Sequence, residues 1–278
     1  IKLLTNLKHV KERWEENFYA MSTATRSHGR LVVVEDPSKP MKVLYDPQSK
    51  TAFLFNFTYY GWIKSLALSV AGDVLEDEHN IYSVHGACLD LEGQGFCFMG
   101  TSGSGKTTHT YGLLRLKNMR VVSDDWFFSR LFNGDVLAYS SEKDFYIRAD
   151  LAKIWDTFKW LVSKAEFDNE GRAIVNLRWV IGKGRIMHMT TLKKVFILKR
   201  DPEDKEVHRI LDSEEALTYV ETNGYFNPHL LVKNEFKRKL RNHFFFELFK
   251  RTTVHLINTV KSPEEIQTLL KSLLGLKS

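Results

Sequence analysis

Cysteine is nearly absent from this chain. Its 278 residues hold two, Cys88 and Cys97, too few for a disulfide framework. Long apolar runs are missing as well. No window approaches ~18 uninterrupted apolar residues, which excludes an ordinary membrane-spanning helix. The opening residues, Ile1-Lys2-Leu3-Leu4-Thr5-Asn6-Leu7-Lys8, contain no leader-like apolar stretch and no small-residue cleavage site. With so little cysteine, the expected setting is the reducing cytoplasm. There is no internal repeat and no low-complexity segment. Acidic residues are outnumbered, 34 against 40 Lys and Arg, for a net charge of +6. That balance suits an anionic partner and says nothing of fold. The 43% apolar and 27% charged content is that of an ordinary folded domain and argues against a disordered chain.

The first 20 residues read as helical and charged. Leu31–Val34, Val43–Tyr45 and Thr51–Phe57 read as strands, with turns at Asp36-Pro37 and Asp46-Pro47-Gln48-Ser49. This predicts a small sheet packed beside the main domain. Tyr60–Asp77 carries Trp62, Leu66, Val70 and Val74 at intervals of four, the spacing of an amphipathic helix. Two strands follow, Ile81–Leu91 and Phe96–Met99, joined by Glu92-Gly93-Gln94-Gly95. Then come a glycine-rich loop, a helix over Thr107–Leu116, and a short strand Arg120–Ser123 that runs into Asp124-Asp125. Further on, Lys194–Leu198 and Val254–Ile257 read as strands, Asn234–Lys250 as a helix, and Ser262 as the cap of a last helix.

The loop Gly100-Thr101-Ser102-Gly103-Ser104-Gly105-Lys106-Thr107 matches G-x-x-x-x-G-K-S/T, which a chain of this length and average composition matches by chance about one time in a hundred. It lies between a strand and a helix, as the motif requires. Glycines let successive backbone N–H groups turn inward around an anion, and the helix adds its N-terminal partial charge. Lys106 would then reach the β- and γ-phosphates and the Thr107 hydroxyl would bind Mg²⁺; a glycine-rich surface turn beside a lysine is the competing reading. The dinucleotide spacing G-x-G-x-x-G is absent.

Asp124 and Asp125 follow Lys106 by one helix, one turn and one strand. So short a crossover places the flanking strands parallel, and the aspartates emerge at the edge where the loop holds phosphate. One carboxylate can hold Mg²⁺, and the other can accept a proton from an attacking hydroxyl. A solvated Asp-Asp turn is the competing reading. A hairpin centred between Gly93 and Gln94 would set Gly100 opposite Ala87, with His85 just beyond at the loop's mouth. There its imidazole could bind a phosphate oxygen or steer protons, or serve only as a structural histidine. Cys88 and Cys97 fall near each other in this hairpin, as small buried hydrophobes.

Val84-His85-Gly86-Ala87, the loop through Thr108, and Val122-Ser123-Asp124-Asp125 together resemble the HPr kinase/phosphorylase and phosphoenolpyruvate carboxykinase superfamily. The resemblance covers about residues 81–130. It implies an α/β fold with a P-loop kinase core over 81–278, beside a small N-terminal α+β region over 1–80. It also implies ATP, or another nucleoside triphosphate, with Mg²⁺. Nucleotide contacts would come from Gly100, Thr101, Ser102, Gly103, Ser104, Gly105, Lys106, Thr107 and Thr108. Metal contacts would come from Thr107 and Asp125. Catalytic roles fall to Asp124, Asp125, Lys106, His85 and Arg148. Position does not decide which aspartate is the base, and Asp124 is the first choice.

The HPr kinase segment Glu-Ile-Arg-Gly compares with Phe145-Tyr146-Ile147-Arg148-Ala149-Asp150, where Arg148 fits but Tyr146 replaces the metal-binding Glu. Either Glu142 or Asp144 substitutes, or the metal has fewer protein ligands. Gly182-Lys183-Gly184-Arg185 faintly resembles the family's substrate loop, making Arg185 a candidate phosphate or substrate contact, or an exposed loop arginine. Carboxykinases proper are roughly twice this length and fit poorly. The resemblance thus implies phosphoryl transfer to a hydroxyl, most often a serine of a protein or peptide. A small metabolite or free amino acid is the alternative acceptor. A homo-oligomer is compatible with this reading.

Lys233–Arg251 holds seven Lys and Arg against two Glu, with five phenylalanines interleaved. One reading is a nucleotide-regulated module contacting nucleic acid. The favoured one is an amphipathic helix with a phenylalanine stripe in the core and a solvated basic face.

Overall fold

A computed structural model describes residues 1–22, 24–57, 59–167, 171–225, 227 and 229–276. The first elements are β1 (Lys2–Thr5), α1 (Lys8–Asn17), β2 (Arg30–Val34), β3 (Lys42–Asp46) and β4 (Thr51–Phe55). The strands form a four-stranded sheet in the order β1-β2-β4-β3. Leu31 and Val33 of β2, with Ala52 and Leu54 of β4, turn to one face, as alternation along a strand dictates. That face packs on Ile63, Ala67 and Val70 of the long helix α2 (Tyr60–His79).

β1 is a departure from the all-helical start expected of the first 20 residues. It pairs parallel with β2, 25 residues further on. A four-residue edge strand whose partner is that distant leaves no periodic signal of its own.

The second assembly contains β5 (Tyr82–Leu91), β6 (Gln94–Gly100), α3 (Lys106–Leu114), β7 (Met119–Ser123), β8 (Trp126–Phe132) and β9 (Asp135–Ser140). Next come β10 (Asp144–Arg148), the short helices α4 (Leu151–Ile154) and α5 (Lys159–Lys164), β11 (Arg172–Asn176), and α6 (Leu177–Ile181). The chain then runs through β12 (Met189–Lys199), β13 (His208–Leu211), α7 (Ser213–Thr222), α8 (Glu235–Lys250), β14 (Thr253–Asn258) and α9 (Pro263–Leu273). Among the described residues, the order is β13-β14-β12-β6-β5-β8-β9, with β7 beside β5 and β9 returning to β12. β10 and β11 form a separate antiparallel ladder.

Alternating side chains split the large sheet's interior into two cores. Phe96, Phe98, Phe196 and Leu198 face α3 and α9. Cys97, Met99, Val195 and Ile197 face Phe244, Phe245 and Leu248 of α8. A sheet covered on both faces reads as nearly continuous apolar strands. Cys88 and Cys97 oppose each other across the β5–β6 ladder as free, fully buried thiols. Burial pushes both thiols well above their ordinary range.

Helix α2 lies between the two assemblies. Ile63 and Val70 meet the small sheet, while Leu68 meets Trp126 and Phe128 of β8. The stripe expected to begin at Trp62 holds at Leu66, Val70 and Val74, but Trp62 itself is 57% exposed. In α8 Phe236, first of the five phenylalanines of the expected stripe, is likewise exposed, and the buried apolar set is Phe244, Phe245, Leu248 and Phe249.

Candidate active site

β6 and β7 both run antiparallel to β5, so they share a direction and their C-terminal ends meet at one edge. The glycine-rich loop leaves the first end and Asp124-Asp125 leave the second. Glycine is required where β6 ends: a Cβ on Gly100 would lie 2.5 Å from the Leu198 carbonyl oxygen of β12. Gly105, at φ +99°, turns the chain into the first turn of α3, a conformation that side-chain-bearing residues rarely adopt. The loop is braced from within and behind. Ser104 Oγ donates to the Thr101 carbonyl at 2.9 Å, and Thr259 Oγ1 donates to the Ser104 carbonyl at 2.9 Å. Lys106 folds over the loop, its Nζ donating to the carbonyls of Gly100 (2.7 Å) and Thr101 (3.1 Å). Burial lowers its pKa, against the pull of Asp125.

The two aspartates differ. Asp124 is 5% exposed. Its Oδ2 accepts the Tyr146 backbone N–H at 2.8 Å, and its Oδ1 is buried without a hydrogen-bond partner. Burial raises its pKa well above the carboxylate range, and Asp125 and Glu142 push the same way. Asp125 has a half-exposed side chain, and its Oδ1 lies 3.5 Å from His85 Nε2. Burial would raise its pKa too, but the contact with His85 and the charge of Lys64 outweigh it and hold this carboxyl well below the usual range.

His85 stands closer to the loop than the expected register puts it. The β5–β6 hairpin turns on Glu92 and Gly93, both at positive φ, the geometry of a two-residue hairpin turn. Gly86 therefore pairs with Met99, and continuing that register sets His85, not Ala87, level with Gly100. A shift of two residues preserves the side-chain alternation, so His85 still faces the site.

These groups line one cavity of about 980 Å³. Of the expected residues, His85, Asp124, Asp125 and Arg148 border it, as do Lys106, Thr107 and Thr108. Thr101, Ser102, Gly103 and Gly105 complete the loop side, while Gly100 and Ser104 stand behind the wall. Other candidates lie elsewhere. Arg185 donates to the carbonyls of Leu114, Leu116 and Met119. It caps the far end of α3 and is no phosphate contact. Glu142 is buried against Lys64 Nζ at 2.9 Å and Asn17 Nδ2 at 3.2 Å. Neither Glu142 nor Asp144 borders the cavity, so neither replaces the missing metal-binding Glu.

The cavity also takes side chains that motif reading did not find. Lys64, Trp62 and Tyr59 come from the start of α2, Arg172 from β11, Arg200 from just past β12, and His229 from the segment before α8. Lys64 is 3% exposed and its Nζ sits 4.1 Å from the centre of the Tyr146 ring. Burial opposes its charge, but Glu142 and the other nearby acids outweigh burial and raise its pKa. Its one sequence signal is that no other charged residue occurs from Tyr60 to Gly72. Arg172 and Arg200 carry no comparable signal.

The basic run of α8 is divided: Arg238, Lys239 and Lys250 stay exposed, as a solvated face requires, while two of its cations turn inward. Lys237 and Arg241 are buried and pair with acids of α2: Lys237 Nζ lies 2.8 Å from Glu76 Oε1, and Arg241 Nε 2.9 Å from Glu76 Oε2. Among the described residues, no helix is long and apolar enough to cross a membrane.

No family model matches the sequence, and no curated protein is similar to it at the sequence level. Among solved structures the chain is similar to the Hpr(Ser) kinase/phosphatase from Coxiella burnetii, at 12% identity and a TM-score of 0.39, over 69% of this chain and 95% of that one.

Proposed function

We propose that this protein is an α/β P-loop kinase that moves the γ-phosphoryl group of ATP, or another nucleoside triphosphate, to a hydroxyl. The observation that carries this reading is the meeting of the glycine loop, Lys106 and the unequal aspartate pair in one cavity. Residues 81–278 form the kinase core in this reading, and residues 1–80 supply one wall of its cavity through α2.

The residues present fit a nucleotide-borne Mg²⁺ rather than a protein-caged metal. Among the described residues there is no cluster of three or more His, Cys, Asp or Glu able to hold an ion. Nucleotide Mg²⁺ needs only one or two protein oxygens, the rest coming from phosphate and water. Thr107, in the first turn of α3, and the half-exposed Asp125, whose carboxyl is held low, would supply those oxygens. When bound, Mg²⁺ would neutralise charge on the phosphate oxygens.

The chain's own groups account for the other requirements. The loop N–H groups and the start of α3 cradle the phosphates. Lys106 exchanges its carbonyl partners for phosphate oxygens. Asp124, the carboxyl with the higher pKa, takes the acceptor's proton as its oxygen attacks the γ-phosphorus and the bond to the β–γ bridging oxygen breaks, releasing nucleoside diphosphate. The Tyr146 N–H holds the other oxygen of Asp124 in place, and His85 steadies Asp125.

The test is transfer from γ-labelled ATP with Mg²⁺ to hydroxyl acceptors, including serine peptides and small hydroxylated metabolites. Lys106→Ala should lower transfer by roughly 10²–10³-fold or more with an unchanged circular dichroism spectrum. Unchanged turnover in that variant would refute the assignment.

A further inference from the structure

Arg148 and Arg172 stand directly opposite each other as the last pair of the β10–β11 ladder. Like charges in that position destabilise an antiparallel pair, yet here both border the cavity that holds the loop and the aspartates. Among the described residues Arg148 meets an acid at Asp150, at 3.8 Å with both side chains more than half exposed. Such a contact holds the guanidinium loosely. The Arg172 guanidinium lies 5.6 Å from the centre of the Tyr59 ring, and Tyr59 borders the same cavity. A second cavity of about 260 Å³, bordered by Arg148 and Lys153, adjoins the pair.

The ladder is also tied to the reacting centre. Tyr146, whose N–H holds Asp124, precedes Arg148 by two residues on β10. The two side chains therefore share a face, about 7 Å apart along the strand. A hydroxyl presented to Asp124 and an anionic group presented to the arginines are thus within the span of one small molecule. Both ends face one cavity, whose size is at the upper end of the roughly 300–1,000 Å³ typical of ligand sites.

We propose that Arg148 and Arg172 form the anion site for the phosphoryl acceptor, so that the acceptor is a small hydroxylated molecule carrying a carboxylate or a phosphate a few bonds from the hydroxyl that reacts. Planar guanidinium groups suit both anions, which they bind through paired N–H donors. This inference rests on the kinase reading and narrows its substrate class.

The experiment uses the full chain, γ-labelled ATP, Mg²⁺ and matched acceptors. Hydroxy acids are set against their amides, and sugar phosphates against the parent sugars, so the two arms separate carboxylate from phosphate as the anion. Transfer should favour the anionic member of one arm by roughly tenfold or more, the scale of a charge-assisted hydrogen bond. Arg148→Gln and Arg172→Gln should each raise the KM for that acceptor by a similar factor, with Arg→Lys recovering part of it. Nucleotide affinity, measured separately by calorimetry, should stay within about twofold, because the phosphate loop is untouched.

Equal transfer to the neutral acceptors, transfer confined to serine peptides, or a loss of nucleotide affinity in the arginine variants would each overturn the anion site while leaving the kinase standing. A wild-type chain that binds no nucleotide would remove both.

Discussion

Two buried ion networks hang from helix α2, one near each end. Near its start, Lys64 pairs with Glu142, Glu142 accepts from Asn17, and Asn17 Oδ1 accepts the backbone N–H of Asp144 at 3.0 Å. Near its end, Asp73, Glu76 and Asp77 meet Lys50, Lys237 and Arg241. The second network balances three acids against three bases and lies away from the cavity, where it fastens α2 to α8. The first opens on the cavity through Lys64, and beside it Asp124 Oδ1, at the cavity wall, is buried without a partner. Buried polar groups left unsatisfied in a native fold call for an explanation, and a ligand site supplies one. The difference separates charge that holds the fold from charge held ready for chemistry.

The largest effect expected from breaking this contrast is at Lys64. Lys64→Met leaves Glu142 buried and unpaired and should cost about 3–5 kcal/mol, read by urea denaturation. Adding Glu142→Leu should return most of that stability. Transfer per folded molecule should stay low in the double variant, since the cavity has lost its buried cation. Lys237→Met should also destabilise, but with transfer per folded molecule unchanged. If the Lys64/Glu142 double variant regains full transfer, the two networks are equivalent and both are structural.

A smaller effect sharpens the contrast through pH. Burial, and then Glu142, push Asp144 up to about 6 from an ordinary 3.8. The native state therefore keeps a proton that the unfolded chain releases between about pH 4 and pH 6. Stability falls as pH rises through that window and levels off above it, by roughly 2–3 kcal/mol in all. Asp144→Asn removes the penalty. The variant should be more stable than wild type at pH 7.5 and lose that advantage near pH 4. A difference independent of pH would show that Asp144 is not held in this state.

The legible half of the site is the part built by local sequence. The loop, the aspartate pair and His85 lie within 41 residues, and the hairpin and the strand–loop–helix–strand order that join them are readable from strand and turn signals. Lys64 and Arg172 reach the cavity only because α2 wedges between two sheets and because β10 pairs with β11 at one register, and Arg200 because β12 pairs with β6 beside the loop. No local pattern encodes those long-range choices. The inward turn of Lys237 and Arg241 in α8 was illegible for the same reason: the acids that neutralise them lie some 160 residues earlier. Glu92 adopts a positive φ that glycine or asparagine more often takes, which moved the hairpin by two residues from the expected register.

The claim on which the account rests is that loop and aspartates converge on one metal-bound nucleotide. Calorimetric titration of a non-hydrolysable ATP analogue, with and without Mg²⁺, into wild type and Asp125→Asn tests it most directly. The account predicts that Mg²⁺ tightens binding to wild type and that the variant loses this gain while keeping its metal-free affinity. An equal response to Mg²⁺ in both proteins would place the ion away from Asp125 and contradict the convergence.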